Sequence, residues 1–391
     1  MSVKLDDSVG AGAHSARRSI MIVAGEASGD LHGADLAREL RARLPDYDLY
    51  GIAGERMVAA GVRPLFRSEQ IAALGLTELA ATIGRTLRAW RALRLRLRSQ
   101  PPNLLILIDF AEFNLHLARS ARRAGVPVLY YIIPQVWAWR RGRVRKLIER
   151  ADRLAVVFPF EAELFAAASQ RVFFVGHPLL DRVRPQGSRQ ETLARHGLPP
   201  QSKLLALLPG SRPSEVRYLL PPMLAAARIL QVSHGLQVCL ALAPGLDLES
   251  MAGALRLDLS GIYIIRADTY SVVAASELAL VASGTATLET ALLECPMVIA
   301  YRVAPVTYAV ARLLVTGVEH IGMPNILAGE QVVPELIQRQ VSGRDLAAAA
   351  APLLEASRRA ATVARLRQLR PMLGAPGAAR RVAALAAEML T

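Results

Sequence analysis

The chain is built by alternation. From Ile20 onward, short apolar runs are followed by small-residue turns, and then by residues whose apolar positions recur at helical spacing. The pattern opens with "RRSIMIVAGEASGDLHGADLARELRARL". Ile20 to Ala24 read as a buried strand and Gly25 to Asp30 as the turn. Leu31, Ala34, Leu36, Ala37 and Leu40 then mark one face of a helix. Further strands are expected at "LYGIAG", "NLLILID", "VPVLYYII", "RLAVVF" and "RVFFVG". Strands that alternate with helices fold into a parallel, doubly wound sheet, because each parallel crossover needs a connection long enough to hold a helix.

The pattern then starts again. Around "HPLLDRVRPQGSRQETLARHGLPPQSK" the chain becomes rich in Pro, Gly and polar residues and reads as a connection. After it comes "KLLALLPGSRPSEVRYLLPPMLAAARIL", again strand, turn and helix, continued by "LQVCLALAP", "IYIIRAD", "LALVASGTATLETALLE" and "PMVIAY". The likeness of the halves is architectural and shows no repeat in sequence. The expected division is a flexible leader over 1–18, a first domain over 19–180, a linker over 181–202, a second domain over 203–345, and C-terminal helices over 346–391 that pack back toward the first domain. With 391 residues, two domains of this kind fit comfortably. Two such sheets facing each other enclose a cleft, and ligands bind beyond the carboxyl ends of their strands.

Composition narrows the choices. No window is apolar and uncharged for long enough to span a membrane. The start, "MSVKLDDSVGAGAHSARRS", lacks the apolar core of a signal peptide. Cys239 and Cys295 form neither a metal-ligand spacing nor a disulfide framework, which suits a reducing compartment. Lys and Arg number 47 against 33 acids, a net charge of +14, and such a field favours phosphate-bearing partners.

Four segments carry candidate chemistry. In "LLILIDFAEFN" an apolar strand ends in Asp109, with Glu112 and Asn114 behind it. Burying that charge in a core would be expensive, so Asp109 is expected to face the cleft. "GEASGD" lacks the residues of a Walker loop or a dinucleotide fingerprint, yet places Glu26, Ser28, Gly29 and Asp30 where backbone amides are free. Ser28 or Asp30 also reads simply as a helix cap. "LPGSRPSEV" offers Gly210 for a tight turn, the Ser211 hydroxyl and the Arg212 guanidinium, which grips phosphate oxygens in pairs. "ASGTATLETALLE" gathers Ser283, Gly284, Thr285 and Thr287 at a helix start, a natural diphosphate seat, with Glu289 one turn further in.

Two further segments are strongly basic. "LGLTELAATIGRTLRAWRALRLRLR" repeats Leu76, Leu79, Ile83, Leu87 and Trp90 at helical spacing among arginines that include Arg85 and Arg88. It reads as a membrane-surface helix or as a helix whose apolar stripe packs on its own sheet. "PQVWAWRRGRVRKLIERADRL" interleaves Trp137 and Trp139 with basic residues and is expected to form a cleft-edge wall. His177, in "VGHPLLD", is expected to fix a loop by a hydrogen bond. The histidines form no metal constellation.

Taken in order, "GEASGDLHGADL", "LGLTEL", "IDFAEFN", "PQVWAWR", "FPFE", "VGHPL", "LLPGSR", "SGTATLE", "PMVIAYR" and "MPNILAG" resemble the lipid-A-disaccharide synthases, over about residues 20–340. That resemblance implies the GT-B fold, which is two Rossmann-like domains facing across a cleft, and an inverting glycosyltransferase needing no metal or cofactor. It implies UDP-2,3-diacylglucosamine as donor and 2,3-diacylglucosamine 1-phosphate as acceptor, giving the β-1,6-linked disaccharide 1-phosphate and UDP.

It further implies Asp109 as general base with Glu26 or Asn114 as orienters, and Arg212, the Ser283–Thr287 turn and Glu289 as holders of UDP. Arg302 and Asn325 resemble further site positions. Lipid substrates without a membrane span imply work at an anionic membrane surface, on the cytoplasmic face of the inner membrane, with a homodimer among the expected assemblies. Two residues depart from the family pattern: Ala111 stands where Pro is common, followed by Glu112 as the second acid, and Gln135 replaces a small residue. Other readings remain open. They are another UDP-sugar enzyme such as a UDP-N-acetylglucosamine transferase or 2-epimerase, a basic nucleic-acid-binding protein, and a nucleotide-sugar sensor without turnover.

Overall fold

The computed structural model describes residues 18–71, 79–134, 142–305, 308 and 319–391. Two wholly parallel sheets organise them. The first has seven strands: β1 (Ser19–Ala24), β2 (Asp48–Ala53), β3 (Arg63–Arg67), β4 (Leu104–Ile108), β5 (Val128–Tyr131), β6 (Arg153–Val156) and β7 (Val172–Phe174). Their order is β3-β2-β1-β4-β5-β6-β7. The second has β8 (Leu204–Leu208), β9 (Gln237–Leu242), β10 (Ile262–Arg266), β11 (Leu278–Ala282), β12 (Met297–Tyr301) and β13 (Glu335–Ile337). Their order is β10-β9-β8-β11-β12-β13. Each sheet therefore reverses its winding once, between β1 and β4 in the first and between β8 and β11 in the second.

Both faces of each sheet are covered, which explains the nearly unbroken apolar strands. Along β1, Ile20, Ile22 and Ala24 enter one core, while Met21 and Val23 enter the core on the opposite face. Along β8, Leu205 and Leu207 pack under the helix Pro213–His234, and Ala206 and Leu208 point the other way. That second direction leads into a single apolar cluster, which also contains Ile22 and Ile108 of the first sheet and Leu366 and Leu385 of the last two helices.

Those last helices tie the halves together. The helix Ala356–Met372 packs on the helices Thr285–Leu292 and Met323–Ala328 of the second half. The helix Ala378–Glu388 packs on Ala27–Arg43 of the first. Between them, the His177 amide donates to the Leu373 carbonyl (2.9 Å) and the Gly377 amide to the Asp181 carboxylate (2.7 Å).

The opening turn is shorter than the sequence suggests. The helix begins at Ala27, so Ser28, Gly29 and Asp30 form its first turn. Asp30 caps a different helix: its buried carboxylate accepts the amides of Gly54 (2.8 Å), Arg56 (3.1 Å) and Met57 (3.1 Å) at the start of Glu55–Ala59. His177 fixes its loop as expected, its Nδ1 accepting from the Leu179 amide at 3.2 Å. Burial pushes its pKa down to about 3, so the ring is neutral.

Candidate active site

The two switch points bring together the segments that the sequence marks. Glu26 follows β1 and Asp109 follows β4, neighbours at the reversal of the first sheet. Gly210, Ser211 and Arg212 follow β8, and Ser283, Gly284 and Thr285 follow β11, at the reversal of the second. Crevices form at such points because the flanking connections leave in opposite directions.

Asp109 sits in an unusual backbone. It and Phe110 have φ of 47° and 46°, and Ile132, at the end of the adjacent β5, has φ of 55°. Non-glycine residues pay for the left-handed region, a β-branched one most of all. The surroundings hold the turn in place. The Asp109 amide donates to the Ile132 carbonyl (3.1 Å), and its own carbonyl accepts from the Tyr130 hydroxyl (2.7 Å) and Asn114 Nδ2 (2.8 Å). Asn114 Nδ2 also reaches the Ile108 carbonyl at 3.2 Å. Asn114 is fully buried and grips backbone rather than the Asp109 carboxylate, so it positions the turn and orients no carboxylate directly. Phe110 lies flat over Gly25, where a Cβ would sit 2.3 Å from its ring, and stacks on Phe113 at 4.9 Å. Glycine alone lets the β1 and β4 ends approach so closely.

Ala111, where the family commonly has proline, is the first residue of the helix Ala111–Arg123. Proline is favoured at that position because its fixed φ suits a helix start, so alanine gives up that stiffness, but the bracing by Asn114 and Tyr130 does not depend on it.

Electrostatics single Asp109 out. Burial pushes its pKa up, the Glu26 carboxylate pushes it further, and the Phe110 amide pulls it partly back, leaving it at about 6. Glu26 itself is exposed, stands at the N-cap of Ala27–Arg43 and makes no capping bond. Ser28 is exposed beside it, while Gly29 is buried, a Cβ there coming within 3.3 Å of Ala24.

The second switch point is organised by carboxylates that the sequence reading passed over. Glu215 accepts the amides of Ser211 (2.9 Å) and Arg212 (3.3 Å), and its other oxygen lies 3.6 Å from the Arg212 guanidinium. Gly210 has φ of 114°, and a Cβ there would strike the Glu215 carboxylate at 2.4 Å. Arg212 remains 57% exposed, available to a ligand. The spacing of Arg212 and Glu215 is that of a capping box, so this partner was open to a closer reading.

Gly284 is the N-cap of Thr285–Leu292, and both Gly284 and Thr285 are exposed. The Ser283 hydroxyl donates to the Ile321 carbonyl at 2.9 Å. Glu289 accepts from the Tyr270 hydroxyl (2.7 Å), and burial raises its pKa while that bond lowers it. Burial and the Glu289 carboxylate push the Tyr270 pKa up, keeping its hydroxyl protonated as the donor, and Arg182 and Arg56 from the first half of the chain lie near enough to pull it partly back. Arg302 is exposed, with its guanidinium 3.3 Å from the Val341 carbonyl.

Two expected ligand contacts belong elsewhere. Thr287 is fully buried, its hydroxyl donating to the Gly284 carbonyl (2.8 Å) and accepting the Met323 amide (3.3 Å). Asn325 is fully buried too. Its Nδ2 donates to the Val333 carbonyl (2.8 Å) and Glu335 (2.7 Å), and its Oδ1 accepts the amides of Val332 (2.7 Å) and Val333 (3.0 Å). An amide side chain offers two donors and two acceptor sites, so nothing is left for a ligand. Both residues shape the rim of the site from behind it. Glu335, which also accepts the amides of Ile321 and Gly322, lies too far along the chain for any local signal.

The basic helix divides along its length. It spans Leu79–Ser99, and Ala89, Leu93 and Leu97 pack on the first sheet with Trp90 against them. Leu87 and Leu95 are exposed, as are Arg85 and Arg88. Leu76, Trp137, Trp139 and Gln135 lie outside the described residues, as do the side chains of Leu79 and Ile83. Among the described residues no helix is long and apolar enough to cross a membrane.

Two parallel sheets of Rossmann order, each with its polar switch point, place the protein in the GT-B architecture of nucleotide-sugar glycosyltransferases. The calicheamicin glycosyltransferase CalG4 shares the fold at 15% identity, with a TM-score of 0.58 over 96% of this chain and 98% of that one. The UDP-GlcNAc 2-epimerase from Neisseria meningitidis shares it at 12% identity, with a TM-score of 0.61 over 95% and 99%.

Sequence comparison is more specific. The model of the lipid-A-disaccharide synthetase family matches residues 20–388, and the chain belongs to that family. It is 46% identical to the lipid-A-disaccharide synthase of Syntrophus aciditrophicus over 374 residues, 95% of this chain and 97% of the relative. It is 47% identical to that of Geobacter sulfurreducens over 376 residues, with the same coverage. The protein is an enzyme of lipid A disaccharide synthesis.

Proposed function

We propose that the enzyme transfers a 2,3-diacylglucosamine unit from UDP to the 6-hydroxyl of 2,3-diacylglucosamine 1-phosphate, with inversion, to give the β-1,6-linked disaccharide 1-phosphate and UDP. Asp109 is the general base. It takes the proton of the 6-hydroxyl as that oxygen attacks the anomeric carbon from the face opposite UDP, and the bond to the diphosphate oxygen breaks. A base works best when its pKa lies near the working pH, and a value of about 6 meets that condition while leaving most of the carboxylate ionised at neutrality. The single observation that carries the reading is this carboxylate, held in a braced left-handed turn at the switch point of the first sheet.

Across from it, Arg212 and the amides of Gly284 and Thr285 hold the diphosphate and stabilise its charge as it leaves. Gly210, Ser283 and Arg302 shape that seat, Ser28 and Gly29 border the substrate from the Asp109 side, and Glu289 binds the ribose. Acyl-chain substrates place the enzyme at the anionic cytoplasmic surface of the inner membrane, with Leu87, Arg85 and Arg88 among the residues turned toward lipid. Purified protein incubated with the two acylated glucosamines should form the disaccharide 1-phosphate, read by mass spectrometry. Absence of product, with UDP-N-acetylglucosamine consumed instead, would refute the assignment.

Two variants test the division of labour. Glu26→Gln removes the negative neighbour that raises the Asp109 pKa. The acid limb of the kcat/KM profile, expected near pH 6 in the parent, should therefore move to lower pH. An unmoved limb would mean that another group sets it. Arg212→Ala should weaken donor use by roughly ten- to hundredfold, the scale of a lost charge-assisted contact, and leave acceptor KM nearly unchanged. Equal damage to both substrates would remove Arg212 from the diphosphate seat.

A further inference from the structure

The outer face of the first sheet carries a second concentration of charge, well away from the switch point. Arg119, Arg122, Arg123 and Arg150 line a hollow of about 520 Å³, open to solvent, between the helices Ala111–Arg123 and Gly142–Arg150. These helices run back along the sheet, so their C-terminal ends lie at the opposite edge from Asp109. Arg119 to Arg123 stand eight to twelve residues beyond the helix start at Ala111, roughly 12–18 Å further along.

Two of these arginines are fixed by the protein. Arg122 donates to the Glu149 carbonyl (2.7 Å), and Arg150 to the Leu115 carbonyl (3.0 Å), each reaching across to the other helix. The one carboxylate in the lining, Glu149, is engaged by Arg145 at 2.7 Å on the exposed side. Among the described residues, neither Arg119 nor Arg123 forms an ion pair. Burial and the neighbouring Arg119 both lower the Arg150 pKa, while Glu149 and Glu112 raise it, so repulsion between the cations is only partly offset. Arginines at helix C-termini are common because they complement the dipole. That accounts for one or two charges pointing into solvent. It does not account for four lining one hollow, two of them pinned.

We propose that this hollow is a second anion site, built for a phosphate group and separate from the diphosphate seat. Guanidinium groups recognise phosphate oxygens in pairs, and four of them around one cavity suit a phosphate monoester or diester. The phosphate can belong to a lipid headgroup or to a small soluble compound.

The test uses the full chain with Arg119→Ala and Arg123→Ala together, since these two carry no bond to the backbone. A control variant, Arg339→Ala with Arg344→Ala, removes the same charge from exposed positions of the second half. Cosedimentation is measured with vesicles of phosphatidylglycerol and phosphatidylcholine, and calorimetry with inorganic phosphate. If the phosphate is a headgroup, the Arg119/Arg123 variant should lose about thirtyfold in affinity for the anionic vesicles, at ~1 kcal/mol per cation near a surface, and the control much less. If the phosphate is soluble, the Arg119/Arg123 variant should lose phosphate binding while vesicle affinity stays as in the parent. Equal vesicle losses in this variant and the control, with phosphate binding unchanged, would overturn the site, as would no change in either measurement. Unaltered melting curves establish that the variants are folded. If the alanine pair fails that check, Arg119→Gln with Arg123→Gln takes its place.

Discussion

Asp109→Asn is expected to cost about 10² to 10⁴ in turnover and, in the same protein, to raise thermal stability. The loss follows because an amide cannot accept the proton of the attacking hydroxyl. The gain follows from the carboxylate's surroundings. Its pKa lies at about 6 in the folded chain against an ordinary 3.8, so folding disfavours the ionised form. The penalty is absent below the ordinary pKa, grows as pH rises between the two values, and is complete above about 6. At neutrality it amounts to roughly 2–3 kcal/mol before allowance for the partial exposure of the group. Asparagine removes that penalty and also suits a φ of 47°, a region that Asn and Asp visit more readily than Ala. For that reason Asn is a cleaner probe than Ala, which would add backbone strain to lost chemistry. Melting curves and turnover measured on one preparation check both halves. A variant that loses turnover without gaining stability at neutral pH, or gains it equally at pH 3, would show that the carboxylate is not under this electrostatic load.

Asn325→Ala should be among the most destabilising single changes in the second half. Four hydrogen bonds disappear at once: the amides of Val332 and Val333 and the Val333 carbonyl lose their side-chain partner, and the Glu335 carboxylate keeps only the amides of Ile321 and Gly322. Each buried polar group left unpaired costs about 1–3 kcal/mol, so a total loss of roughly 3–5 kcal/mol is reasonable once some groups find water. Donor KM in whatever fraction folds should change little, because the side chain has no free valence to offer UDP. A well-folded variant with a selectively raised donor KM would instead restore Asn325 to the ligand-binding set.

What the sequence discloses depends on the range of the interaction. Alternating strands and helices are written locally, in apolar periods and small-residue turns, so the inner strands of both sheets and the placement of Asp109, Arg212 and the Ser283–Thr285 turn could be read, whereas the short, half-buried edge strands β3 and β13 carry no apolar run of their own and could not. The partners of those residues are written at a distance. Nothing near Glu289 announces Tyr270, and nothing near Asn325 announces Glu335. Asp30 looks like a cap for its own helix and instead serves one that starts 25 residues later. Thr287 and Asn325 have the chemistry of ligand contacts, and only burial reveals that this chemistry is already spent. Resemblance points to residues by position. Whether a given residue touches substrate or holds the wall behind it depends on which side of the backbone its side chain emerges.

The paired crossings between the halves carry a mechanical consequence. The chain passes from one half to the other near His177 to Asp181 and returns near Leu373 to Gly377, and hydrogen bonds fasten the two passages together. A single tether would let one half swivel in any direction, whereas two tethers side by side act as a door hinge. Any opening of the halves would then turn about one axis, and closure would bring Asp109 back to the same place opposite the second switch point.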